Sequence, residues 1–264
     1  MLTFADFKTA LDSLELGKKP AIAHASLKSF GEIQGGPETV LEALLVTLTG
    51  LVMPAFTYKT MIIPEVGPPN NGVTYGRYLG LNRMAEPFHA AMPVDPLIGL
   101  LAETLRHHPG AMRTAHPILS FVGFNVDEAL NAQSLNNPFA PIGWLADHDS
   151  WVLLLGVDHT VNSSIHYAEK LAGRWQFFRW ALTKQRILEC PGFPGCSEGF
   201  EAILPETEHV SRRVKIGNSF IEAIPLHPLL QAVEMRIKKE PLALLCQRDD
   251  CERCDAVRYT VSEM

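Results

Sequence analysis

Ala21-Ile22-Ala23-His24-Ala25-Ser26-Leu27 is an apolar, strand-like run, and Leu51-Val52-Met53-Pro54-Ala55-Phe56 is a second one. Between them, Phe30-Gly31-Glu32-Ile33-Gln34-Gly35-Gly36 is a glycine-bearing turn. Pro37 then suits the first position of a helix, and Val40, Leu41, Leu44, Leu45 and Leu48 give that helix an apolar stripe. Strand, Gly-Gly turn, helix and strand make a βαβ unit whose helix start offers free backbone N–H groups to an anion. The spacing is neither G-x-G-x-x-G nor G-x-x-x-x-G-K-[ST], so the turn is equally well explained as structural. The unit sets the fold class: α/β, with a central mostly parallel or mixed sheet flanked by helices.

The pattern recurs downstream with chemistry attached. Trp151-Val152-Leu153-Leu154-Leu155-Gly156-Val157 is short, apolar and β-prone, which suits a buried strand. Asp158-His159-Thr160-Val161 turns the chain, and Asn162 or Ser163 is a natural N-cap for Ser164-Ile165-His166-Tyr167-Ala168-Glu169. His166 thus falls in the first turn of a helix, with Glu169 three residues on and on the same face. A helix N-terminus disfavours a cation, which suits a base that begins its cycle neutral. Glu169 is placed to orient the ring or to hold charge as it forms. A histidine satisfied by local hydrogen bonds at a strand–helix junction would read the same way.

The remaining segments extend the alternation of strands and helices to about residue 185. Phe4 to Leu16 has helical spacing, as do Pro96 to Arg106 and, more briefly, Val126 to Leu130. Residues 62–72 carry too many Pro, Gly and Asn for regular structure and form a long loop that could wall a pocket. The chain is expected to be a single domain over 1–264, with a Cys-containing C-terminal subregion over 186–264.

All five cysteines lie in the last third of the chain. Cys251-Glu252-Arg253-Cys254 is a C-x-x-C knuckle, and Cys190 and Cys196 form a looser pair. Four thiolates from Cys190, Cys196, Cys251 and Cys254 could close a structural zinc site, with Cys246 left as a buried residue at the end of a Leu-rich helix. Reduced buried cysteines are the alternative. Gly195-Cys196-Ser197-Glu198-Gly199 satisfies G-x-S-x-G, the nucleophile elbow of α/β-hydrolase esterases, with His209 and His227 downstream. Such an elbow needs a central strand running into the serine, and Cys190-Pro191-Gly192-Phe193-Pro194 is unsuited to one.

The chain carries 47% hydrophobic and 20% charged residues, the profile of a globular protein with a substantial core. A net charge of −6 argues against nucleic acid as the main partner and is weakly compatible with a cationic substrate. No apolar run reaches membrane-spanning length and Met1 to Phe7 has no leader pattern, so no membrane partner and a cytoplasmic location are expected. A homodimer is compatible with all of this.

Four motifs in order then point to a family. His24-Ala25-Ser26-Leu27, Gly35-Gly36 and Val52-Met53-Pro54-Ala55-Phe56-Thr57 resemble the N-terminal signature of the aminoglycoside 3-N-acetyltransferases. Arg113-Thr114-Ala115-His116-Pro117-Ile118-Leu119-Ser120-Phe121 resembles their central motif, and Leu153-Leu154-Leu155-Gly156 leading into Asn162–Glu169 resembles the segment with their catalytic histidine. The resemblance implies an antibiotic-acetyltransferase fold and an acetyl-CoA-dependent enzyme of the antibiotic-resistance type. Acetyl would pass directly to an amine of an aminoglycoside or related amino-sugar in a ternary complex, with His166 as general base and Glu169 as its partner. Ser26, Leu27, Gly35, Gly36, Thr57, Arg113 and Ser120 become the candidate cofactor contacts, and His24 and His116 core histidines. A CoA-binding protein without turnover is a further alternative. Ala140-Pro141 stands where relatives commonly have Ser-Pro, and no rich acidic patch lies between the motifs.

Overall fold

The computed structural model describes residues 1–76 and 79–263. Among the described residues the strands are β1 (Ala21–Ala25), β2 (Leu51–Pro54), β3 (Met61–Ile62), β4 (Ala111–Arg113), β5 (Phe121–Phe124), β6 (Trp151–Leu155), β7 (Phe177–Leu182), β8 (Ile187–Phe193), β9 (Arg212–Ile216) and β10 (Ser219–Pro225). Helices are α1 (Phe4–Ser13), α2 (Gly36–Thr47), α3 (Leu79–Asn82), α4 (Leu100–His107), α5 (Asp127–Asn131), α6 (Ala140–Asp147), α7 (Ser163–Leu171), α8 (Leu204–Thr207), α9 (Leu226–Lys239) and α10 (Glu252–Ser262). The helix expected from Pro96 begins only at Leu100, after Gly99 with φ +105°.

A seven-stranded sheet in the order β4-β5-β2-β1-β6-β10-β9 forms the centre. It is mixed: β1 is parallel to both β2 and β6, while the outer pairs are antiparallel. The tight hairpin from β9 to β10 makes that edge pair antiparallel, whereas the α2 crossover returns β2 parallel to β1. Period-two alternation divides the central strands between two cores. Ala21, Ala23, Leu51, Met53, Leu153 and Leu155 face α1, α2 and α4. Ile22, Val52, Val152, Leu154 and Ile224 face α5, α6, α7 and α9. His24 follows Ile22 by two and falls on the second face.

This topology places a site. From β1 the chain crosses through α2 on one face to β2, whereas β6 feeds α7 on the other face. The chain therefore diverges at the carboxyl ends of β1 and β6, the position where open α/β sheets leave a crevice. Gly156, at φ +68°, makes the turn out of β6; a Cβ there would lie 1.9 Å from Ser29 Oγ.

Residues 186–264 contribute to two places. β9, β10 and α9 belong to the central sheet and its cover, while β8 joins β3 and β7 in a separate three-stranded sheet. Cys190-Pro191-Gly192-Phe193, unsuited to a central strand, is tolerated in β8 because that strand is an edge and the ladder shifts register beside it. Among the described residues, no helix is long and apolar enough to cross a membrane.

Candidate active site

Asn162 caps α7 by accepting the Ser164 amide at 3.1 Å. One turn on, His166 and Glu169 project inward together, and His166 Nδ1 meets Glu169 Oε2 at 2.8 Å. Glu169 is 1% exposed and His166 8%. The carboxylate's other oxygen, Oε1, accepts from Arg174 Nη1 at 2.8 Å. Arg174 also donates through Nη2 to the carbonyls of Pro241 and Ala243 at 2.8 and 2.7 Å. Sequence reading missed Arg174: it follows Gly173, whose φ of +81° turns the chain after α7, and a Gly-Arg pair carries no signal of burial. A buried carboxylate without a partner cation is costly, so Glu169 required some such residue.

The rings of Phe200 and Phe139 lie 4.7 and 5.9 Å from the imidazole, centroid to centroid, and fix its plane. With Nδ1 engaged, Nε2 is the nitrogen left for the cleft. Fixing of one ring nitrogen by a carboxylate determines the tautomer and leaves the other as a base.

The cleft outside β1 and β6 has a volume of about 1090 Å³. One wall holds His24 near the end of β1, Ser26, Leu27 and Lys28 just after it, residues 97–100, and Thr160, Ser163 and His166 after β6. The other holds Tyr58, Met61, Arg179, Phe193, Gly195, Ser197 and Arg253, from the small sheet and α10. His24 is buried, and its Nε2 has no hydrogen-bond partner. Burial, with His159 and His166 nearby, pushes it down to about 3, so it stays neutral.

Of the candidate cofactor residues, the fold brings Ser26 and Leu27 into the cleft and leaves the others out of its lining. Gly35 and Gly36 start α2 and lie away from His166's wall. Thr57, Arg113 and Ser120 are turned inward. Thr57 Oγ1 donates to the Pro117 carbonyl at 2.8 Å, and Ser120 Oγ donates to the Ala55 carbonyl at 2.6 Å. Arg113 donates to Ser120 Oγ at 3.1 Å, to the Ala55 carbonyl at 2.6 Å, and to the Met92 carbonyl. These side chains pin the β2–β5 junction, where buried carbonyls demand donors. Burial holds the Arg113 guanidinium down at about 10. His116 has the core role expected of it: Nδ1 accepts the Ile118 and Leu119 amides at 3.2 and 3.0 Å.

The esterase alternative finds no support in the arrangement. Ser197 follows an edge strand and precedes a short 3₁₀ turn, and His209 and His227 are exposed outside the cleft. No strand–elbow–helix presents Ser197 to a base.

The cysteines are rearranged relative to expectation. Cys196, Cys246, Cys251 and Cys254 are all buried, with their Sγ atoms within 4.8 Å of one another. Cys246 takes the place that spacing gave to Cys190, and it lies in a loop beyond α9 that folds back on the knuckle. Cys190 sits back along β8 with its Sγ 3.8 Å from the Leu188 carbonyl, and burial pushes its thiol up to about 12. β8 runs on for three residues after Cys190, at about 3.3 Å each, before the chain turns to Cys196, and Cys190 is left outside the cluster.

A family profile described as aminoglycoside 3-N-acetyltransferase matches residues 22–238. The chain belongs to that family. It is 29% identical over 170 residues to aminoglycoside N(3)-acetyltransferase IV of Salmonella sp., covering 60% of this chain and 56% of the relative. It is 30% identical over 158 residues to the Bacillus subtilis (strain 168) SPbeta prophage-derived aminoglycoside N(3')-acetyltransferase-like protein YokD, covering 56% and 57%. The chain thus spans a little over half the length of the curated relatives it matches. Among solved structures, the aminoglycoside acetyltransferase AAC(3)-IVa apoenzyme superposes with a TM-score of 0.79 at 24% identity, over 98% of both chains. AAC-IIIb in a binary complex with CoASH gives 0.72 at 20% identity, over 90% of this chain and 96% of that one. These structural likenesses establish the fold.

Proposed function

We propose that this chain is an acetyl-CoA-dependent N-acetyltransferase acting on an amine of an aminoglycoside or related amino-sugar. The observation that carries the reading is the buried line Arg174–Glu169–His166, which ends on a ring nitrogen facing a cleft large enough for two substrates. Curated relatives named as aminoglycoside N(3)-acetyltransferases and a CoASH complex of a family neighbour support it.

The acetyl thioester supplies the electrophilic carbonyl. Amines of this class are largely ammonium at neutral pH and attack only when a proton leaves. His166 Nε2 accepts that proton as the nitrogen attacks, while Glu169 holds the ring through Nδ1–H and balances the imidazolium. Arg174 fixes the Glu169 carboxylate through its other oxygen. The tetrahedral oxyanion needs a donor. His24 Nε2, neutral and without a partner on the same wall, supplies one better than Thr57, whose hydroxyl is engaged. Ser26, Leu27 and Lys28 are placed to meet the cofactor, and transfer is direct.

We also assign the four-cysteine cluster to one structural zinc ion. Sulfurs bound tetrahedrally at about 2.3 Å lie about 3.8 Å apart, which the clustered Sγ atoms satisfy with little movement. A hydrogen bond from Cys254 pulls the Cys196 thiol well below its usual range, while that same bond pushes the Cys254 thiol up and burial pushes Cys251 up, so without a metal ion the charge concentrates on Cys196. Thiolates kept for a metal ion suit a reducing compartment such as the cytoplasm.

The test of transfer is thiol release from acetyl-CoA across a panel of amines. Release that needs both acetyl-CoA and an amine supports the reading. Ester cleavage without acetyl-CoA would favour hydrolysis, and CoA binding without either would leave a binding protein.

A further inference from the structure

The charge of the cleft runs against that of the chain. The protein carries a net −6, yet among the described residues lining the cleft the charged side chains are Lys28, Arg179 and Arg253, with no carboxylate. Arg179 is buried on β7, stacked 4.8 Å over the Phe193 ring, and donates to the Asn71, Phe178 and Gly72 carbonyls at 3.0, 2.7 and 3.2 Å. Arg253, in the first turn of α10, donates through Nη1 to the Gly195 carbonyl at 2.9 Å. Among the described residues neither guanidinium has a carboxylate within ion-pair distance. Of the nearby acids, Glu198 is paired with Arg248 at 2.7 Å, Asp95 accepts the Leu97 amide at 3.0 Å, and Glu252, bonded by Thr74, offsets only part of the charge at Arg179.

Resting on the acetyl-transfer reading, we propose that the acceptor is an amino-sugar bearing a phosphate or carboxylate, which Arg253 and Arg179 bind while its amine faces His166. Two guanidiniums held near each other without an anion in a half-dry cleft repel, and an anion relieves that repulsion. Burial first, and then the charge of Arg253, depress Arg179 to about 10, against a smaller opposing pull from Tyr75 and Glu252. Tyr58 stands in the same cluster, pushed up to about 12 by burial, and so remains a neutral hydroxyl donor. A polycationic amine would instead bring its ammonium groups against these two guanidiniums. Arg253 has a fixed posture because it lies between Cys251 and Cys254 and bonds the residue before Cys196, so the cysteine cluster aims the guanidinium.

The anion served could also be a CoA phosphate, and the experiment separates the two. Affinities of glucosamine, glucosamine 6-phosphate, muramic acid and gentamicin are measured by calorimetry in the presence of CoA, alongside thiol release, for the parent and for Arg253→Gln. Arg253 is the chosen site because Arg179 also anchors the loop at residues 71–72. The anionic amino-sugars are expected to bind about tenfold or more tighter than glucosamine, in keeping with a charge-assisted contact. That advantage should disappear in Arg253→Gln with the KM for acetyl-CoA unchanged and metal content equal to the parent's. Equal binding of anionic and neutral sugars, tighter binding of gentamicin, or a rise in the KM for acetyl-CoA alone each overturns the proposal. Selective binding of the anionic sugars without thiol release would uphold the subsite and overturn the transfer reading instead.

Discussion

Glu169→Gln changes almost no volume at a side chain that is 1% exposed, so its effect is electrostatic. The carboxylate accepts from His166 Nδ1 and from Arg174 Nη1, each at 2.8 Å. Arg can only donate, so the amide oxygen must turn to Arg174 and the NH₂ group to His166. Nδ1 must then accept, which places the ring proton on Nε2 and blocks the nitrogen that faces the cleft. A lost general base costs about 10²–10⁴ in rate, and a locked wrong tautomer belongs in the middle of that range or above, so kcat should fall about 10³-fold. The fold also weakens. Removing one charge of a buried pair costs about 3–5 kcal/mol, and Arg174 keeps two carbonyl partners, so the lower end applies. At about 2 °C per kcal/mol for a chain of this size, the Tm should drop by about 6 °C. Thiol-release kinetics and thermal unfolding measure the two effects independently. A folded Glu169→Gln protein whose kcat stays within about fivefold of the parent, far short of the loss of a base, would refute tautomer control.

The other expectations are more direct. His166→Ala should lower kcat by about 10²–10⁴ with cofactor affinity retained, and adding Glu169→Gln should make it little worse; strictly additive losses would show that the two do not act as a unit. Metal analysis of purified protein should give about one zinc per chain, and Cys246→Ser should lose it while Cys190→Ser keeps it; the reverse pattern would restore the ligand set read from spacing. Acid should destabilise the fold through His24 and His116, held down to about 3 and about 4 by burial. Between pH 6.5 and those values the unfolded chain binds protons that the native state does not, so stability is intact above 6.5 and falls by about 1.4 kcal/mol per pH unit per histidine below it. His116→Asn should flatten the denaturant-midpoint profile over that window, and an unchanged slope would mean that His116 is not the titrating group.

Local order was legible in the residues because it depends on short-range rules. The βαβ unit at Ala21–Phe56, the strand at Trp151, the Asn162 cap and the His166–Glu169 face follow from periodicity, capping and helical spacing. The four-motif resemblance carried the family as well. What the sequence left undecided are relations between distant segments, which no local rule encodes. Arg174 reaches Glu169 through a turn and is locked by carbonyls at Pro241 and Ala243, far along the chain. Thr57, Arg113 and Ser120 carry the polar groups of a binding site, but buried carbonyls at Ala55, Met92 and Pro117 claimed them. Cys246 displaced Cys190 because β8 continues past Cys190 to Phe193 before the chain reaches Cys196, and the loop after α9 folds back on the knuckle. Strand and helix periods determine which face a side chain takes; the obligation to satisfy every buried charge and carbonyl, met only in the packed chain, decides which side chains remain for the chemistry.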